Sequence, residues 1–97
     1  MNINELASKY ICSAEHVFKQ LEVVETPGTF NSPHISNVID LAKAYLEDAR
    51  YYREKKKFEV SLTSIAYCEG LLDALRLLGA VRFEWPTTKT ERKPSER

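Results

Sequence analysis

Apolar residues recur at every third or fourth position along three successive stretches of this chain, and this periodicity constrains the fold more than any other feature. The stretches cover about residues 3–24, 34–56 and 58–79, and helix-ending residues such as the Thr-Pro-Gly run at 26–28 separate them. The connection between the second and third stretches is short, which makes those two helices antiparallel neighbours. We therefore predict an all-α fold, an antiparallel three-helix bundle.

Local signals at the ends of these stretches agree with helices. Asn2 followed three residues later by Glu5 is typical of a capping box at a helix N-terminus. Ser32 is a favourable N-cap for the second helix, and Pro33 then falls where a missing N–H has no cost. Gly79 is predicted to take the C′ position after the third helix.

The third helix differs from the other two because its apolar residues cover most of its circumference. One apolar face comprises Val60, Tyr67, Leu71, Leu75 and Leu78, and an adjoining face comprises Phe58, Leu62, Ile65 and Leu72. A helix that is apolar nearly all round is buried nearly all round. This helix is therefore either the central one, or one of its flanks meets a second subunit or another protein. In that second case, Leu62, Ile65 and Leu72 are candidate contact residues.

The region after the third helix divides into an extended strip and a polar tail. Val81, Phe83 and Trp85 alternate with other residues and are expected to pack back over the helix ends. Residues 87–97 contain no apolar side chain to bury, so we expect them to be disordered. The predicted organisation is a helical bundle domain over residues 1–86 and a polar tail over residues 87–97.

Composition and charge limit the classes of function. With 14 basic and 14 acidic residues, the 97-residue chain has no net charge, so nucleic acid is not its default partner. Its N-terminus lacks the apolar run of a signal peptide, and no stretch of about 18 apolar residues exists to span a membrane. Cys12 and Cys68 form no CxxC motif, so neither a zinc site nor a redox site is indicated. We expect a cytoplasmic protein with no cofactor and no bound metal.

Two carboxylates, Glu69 and Asp73, lie four residues apart and therefore share one side of the third helix. Paired carboxylates can bind a divalent cation or act in acid–base chemistry, but a metal site needs further ligands. Arg76 is placed to neutralise Asp73 at a spacing of three residues. The pair is either a set of ion pairs at the helix edge or a functional polar site, to which Asp48 of the second helix would belong.

Gly70 needs an explanation, because glycine inside a helix costs about 0.5–1 kcal/mol relative to alanine. It lies between Ala66 and Ala74, four residues from each. The ordinary reason is tight packing between two helices of the bundle. The alternative is room for a ligand or for the backbone of a partner.

The same periodicity assigns the remaining thiol and aromatic side chains to faces. Cys12 falls opposite the apolar stripe of the first helix and is predicted to be exposed, which is unusual for a free cysteine. Tyr45, Tyr52 and Tyr67 fall on core faces, whereas Tyr51 falls on the polar face. None of the common motifs for phosphate binding, serine nucleophiles or zinc proteases occurs, so no catalytic residue is assigned.

Two stretches of the chain resemble a known family. Residues 41–52 read LAKAYLEDARYY, and residues 66–75 read AYCEGLLDAL, followed by Leu78 and Gly79. Together they are similar to an archaeal family catalogued as domain of unknown function three-five-seven, over about residues 35–81. The resemblance implies a helical bundle from an archaeal cytoplasm, sometimes fused in relatives to nucleotidyltransferase-like domains, and it brings no established activity.

The resemblance also bears on the polar residues. The repeated polar residues of the family correspond here to Asp48 and Asp73. Relatives often carry a histidine at the position of Glu69, so this chain departs from the family there, and a shared histidine chemistry is not expected.

These observations favour three functions, in descending order. The first is a non-enzymatic protein-interaction or self-associating module, a class that includes homodimers. The alternative is a helical accessory domain to nucleotidyltransferase or RNA-related chemistry, in which Arg50, Arg53 and the lysines at 55–57 would bind RNA. The third is an enzyme that uses the three carboxylates named above.

Overall fold

The computed structural model describes residues 1–24 and 32–86 and shows three helices with a minimal sheet. The elements are α1 (Ile3–Gln20), β1 (Glu22–Val23), α2 (Ser32–Glu54), α3 (Phe58–Leu77) and β2 (Val81–Arg82). The prediction of an all-α bundle of three helices is confirmed. The predicted helix break at residues 26–28 and the predicted tail at residues 87–97 lie outside the described residues.

α1 begins with the capping box that the sequence predicted. The side-chain oxygen of Asn2 accepts a hydrogen bond from the backbone N–H of Glu5 at 2.8 Å, and the N–H of Asn2 donates to the Glu5 carboxylate at 3.0 Å. Two of the backbone donors at the helix start are thereby satisfied.

α1 ends at Gln20, so the prediction of helix as far as residue 24 is wrong. Leu21 leaves the helical conformation at φ −59° and ψ 132°. β1 then pairs with β2 in antiparallel register, Glu22 opposite Arg82 and Val23 opposite Val81. The pairing supplies hydrogen bonds to backbone that the apolar periodicity assigned to the helix, so a tertiary contact overrides a weak local preference.

α2 ends at Glu54, two residues before the predicted end, because the next residues form a Schellman motif. Lys56 has a φ of 62°, in the left-handed region, and its N–H donates to the carbonyl of Arg53 at 2.9 Å. The N–H of Lys57 donates to the carbonyl of Tyr52 at 2.8 Å. Two carbonyls at the helix end are thus satisfied within a turn short enough to keep α2 and α3 antiparallel.

Gly79 occupies the C′ position of a second Schellman motif, as the sequence predicted. Its φ is 80°, and its N–H donates to the carbonyl of Arg76 at 3.0 Å. The N–H of Ala80 donates to the carbonyl of Leu75 at 2.9 Å. This motif ends α3 at Leu77 and turns the chain into an extended segment, residues 81–85, which we call the C-terminal strip.

The core lies between the three helices and beneath the C-terminal strip. Its buried apolar residues are Ala7, Ile11, Ala14, Val17, Ile35, Ile39, Ala42, Leu46, Ala49, Ile65, Cys68, Leu72, Leu75, Ala80, Val81 and Phe83. Ser61 and Ser64 of α3 are buried with them. The hydroxyl of Ser61 donates to the carbonyl of Ala49 at 2.7 Å, which satisfies the buried hydroxyl and links α3 to α2.

α3 is buried along one stripe only, and that stripe differs from both predicted faces. Ile65 and Leu72 of the predicted second face lie fully in the core, where they join Cys68 and the two buried serines. Val60, Tyr67 and Leu78 of the predicted first face are exposed instead. The buried stripe contains small and large side chains, namely Ser61, Ser64, Cys68, Ile65, Leu72 and Leu75, and the apolar residues off this stripe remain outside the core.

We predict that Lys56→Gly stabilises the protein by about 0.5–1 kcal/mol, because glycine adopts the left-handed conformation without the steric cost of a Cβ atom. Urea unfolding followed by circular dichroism measures the change in free energy of unfolding. Lys57→Gly is the matched control, since φ at Lys57 is −97° and glycine gains nothing there. Equal effects of the two substitutions would contradict the assignment of strain to Lys56.

Candidate interaction surface

The side of α3 that faces away from the core is exposed, largely apolar and uncharged. It consists of Thr63, Ala66, Tyr67, Gly70, Ala74 and Leu77, which we call the outer face of α3. Val60 and Leu78 border it and are exposed as well. Leu77 and Leu78 are 76% and 60% exposed, which is high for adjacent leucines in a chain that buries its other leucines more fully.

Gly70 lies at the middle of the outer face and contacts nothing else in the described chain. A Cβ atom built on Gly70 would meet no atom within 4 Å apart from its chain neighbours and the backbone of its own helix. The prediction that Ala66, Gly70 and Ala74 serve tight packing within the bundle is therefore wrong. The close contact with α2 is made on the opposite side of the helix, where Ser61 bonds to Ala49.

The outer face continues onto α2 through a pair of tyrosine rings. The rings of Tyr45 and Tyr67 meet edge to face, with centroids 4.5 Å apart. Leu41 lies one turn before Tyr45 and is exposed. Tyr67 was predicted to lie on a core face, yet it is 49% exposed, so the aromatic pair covers the groove between the helices while one ring remains open to solvent.

Asp73 holds the C-terminal strip against α3. Its carboxylate accepts a hydrogen bond from the indole N–H of Trp85 at 2.8 Å and pairs with Arg76 at 3.3 Å. The Arg76 guanidinium lies 5.8 Å from the centroid of the Phe83 ring, which packs edge to face against Trp85. The carboxylate side chain is only 15% exposed, so Asp73 serves the fold of its own chain.

The other predicted polar residues do not join Asp73 in a ligand set. Glu69 is half-buried one turn earlier on α3, and Asp48 is exposed on α2. Within residues 1–24 and 32–86, no three histidine, cysteine, aspartate or glutamate side chains come close enough to hold a metal ion. Leu62, a predicted contact residue, is half-buried, and its companions Ile65 and Leu72 are inaccessible to a partner.

The two cysteines have opposite environments. Cys12 is exposed, as predicted, and Cys68 is fully buried. Burial, together with the nearby negative charge of Glu69, raises the pKa of the Cys68 thiol to about 12. The Cys68 thiol therefore stays protonated at neutral pH and cannot act as a nucleophile.

An open cleft of about 530 Å³ lies between α1 and α2, and Arg50 forms its polar centre. The guanidinium bonds to Glu15 at 2.7–2.8 Å and to Glu47 at 2.5 Å. Burial lowers the pKa of Arg50, but its hydrogen bonds to the two glutamates outweigh this effect and raise the pKa above its ordinary value. Arg50 is thus occupied by two carboxylates of its own chain.

The turn between α2 and α3 carries mixed charge. The lysines at positions 55–57 are exposed, and the ammonium of Lys55 lies 5.5 Å from the centroid of the Tyr51 ring. Glu54 and Glu59 flank these lysines and are exposed too. With Arg50 held by glutamates, the basic cluster predicted for RNA binding is reduced to the half-buried Arg53 and the three lysines, next to two acidic residues.

The residues of the outer face follow a regular spacing in the sequence. The division of α3 into two apolar faces overlooked this spacing. Thr63, Tyr67, Gly70, Ala74 and Leu77 follow one another at alternating intervals of four and three residues. That interval is typical of a seam between two paired helices. The glycine at the middle of this spacing is the sequence feature that could have identified the outer face.

These features define a class: a small helical bundle that closes its own core and leaves one helix face apolar. The family model described as Protein of unknown function (DUF357) matches residues 9–81, and the chain belongs to that family. The match extends the resemblance from α2 and α3 back into α1. Neither a curated protein nor a solved structure gives a significant match. Among the described helices, none is long and apolar enough to cross a membrane.

We predict that Asp73→Ala destabilises the protein by about 1–3 kcal/mol, because it leaves the Trp85 indole and Arg76 without their acceptor. Trp85 is the single tryptophan, so its fluorescence during urea unfolding reports on the strip directly. Asp73→Asn is the matched variant, since it keeps an oxygen acceptor for the indole and loses only the charge. The hydrogen-bond assignment requires Asn to cost clearly less than Ala.

We further predict that a thiol reagent modifies one cysteine rapidly in the native protein and both after unfolding. Cys12 is exposed, whereas Cys68 is buried and protonated. The absorbance released by Ellman's reagent measures both rates. Cys12→Ser should abolish the rapid phase, and rapid labelling of that variant would show that Cys68 is accessible.

Proposed function

We propose that this protein is a non-enzymatic interaction module that binds another protein chain through the outer face of α3. The carrying observation is a continuous helix face with six exposed, uncharged positions, of which Leu77 is one, and with the exposed Leu78 at its border. Exposed apolar surface that is contiguous, rather than scattered, marks interaction sites in small soluble domains. A protein partner also suits the absence of charge on this face, because a nucleic acid would require basic side chains.

The size of the apolar contribution supports this proposal. Complete burial of one leucine side chain contributes about 1.5–3 kcal/mol. Leu77 and Leu78 retain most of their exposure in the isolated chain, so covering both would contribute about 2–4 kcal/mol. This free energy of burial is large relative to a typical free energy of unfolding of about 5–15 kcal/mol, and the isolated chain does not gain it.

The polar groups of α3 are compatible with a binding role. Asp73, which a catalytic hypothesis would use, is engaged by Trp85 and Arg76. The thiol of Cys68 is buried and protonated. The outer face of this helix, in contrast, is both accessible and apolar.

Site-specific photo-crosslinking tests the proposal. The photoreactive residue p-benzoylphenylalanine replaces Tyr67 on the outer face, in cells of the organism that encodes the protein. The matched control replaces Tyr51, which is 55% exposed on α2 and therefore equally accessible. We expect a discrete cross-linked protein from position 67 and none from position 51. Absence of any adduct at position 67, or the same adducts at both positions, would refute this role for the outer face.

A further inference from the structure

We draw no further inference here: the strongest candidate, the open cleft between α1 and α2, carries nothing, because its arginine, Arg50, is already held by Glu15 and Glu47, and the exposed Lys19 and Lys43 that line it do not by themselves define a ligand.

Discussion

The close contact between α2 and α3 decides how the rest of the chain is arranged. Small side chains are buried on both helices, Ala42 and Ala49 on α2 and Ser61 and Ser64 on α3. The hydroxyl of Ser61 must find an acceptor once buried, and the carbonyl of Ala49 at 2.7 Å supplies it. That directional bond, together with the burial of Ile65, Leu72 and Leu75, favours one rotation of α3 about its axis. Every other side chain of α3 is then assigned to the core, to a flank or to the outer face.

The two flanks of α3 have different consequences. On one flank, Asp73 binds the indole of Trp85, and the C-terminal strip closes the core by pairing β2 with β1. The carboxylates that looked like a functional site from the sequence are therefore partly explained by the fold. The outer face of α3 is apolar too, yet among the described residues it makes little contact with its own chain beyond the packing of Tyr67 on Tyr45. A function for this helix is best sought in the surface that the fold leaves unused.

The sequence predicted features set by local interactions. The Asn2 capping box, the left-handed Gly79 and the exposed Cys12 each depend on a few neighbouring residues, and each is as predicted. Features set by distant contacts were predicted only in part: Val81 and Phe83 pack back into the core as expected, but the strand pairing was missed. Residues 22–24 continue the apolar period of α1, and only pairing with β2 turns Glu22–Val23 into a strand. The sequence of α3 contains two apolar stripes with similar numbers of apolar residues. Periodicity alone could not show which of the two stripes would pack against α2.

Gly70 remains the residue that the fold of a single chain does not require. Within a chain, glycine is needed where φ is positive or where another group approaches too closely for a Cβ atom. Gly70 lies within the regular turns of α3, outside the left-handed region, and apart from its own helix no atom of the described chain lies within 4 Å of where its Cβ would be. Alanine would therefore fit and would stabilise the helix by about 0.5–1 kcal/mol. If a glycine here has a structural reason, that reason lies in another molecule whose backbone approaches this face.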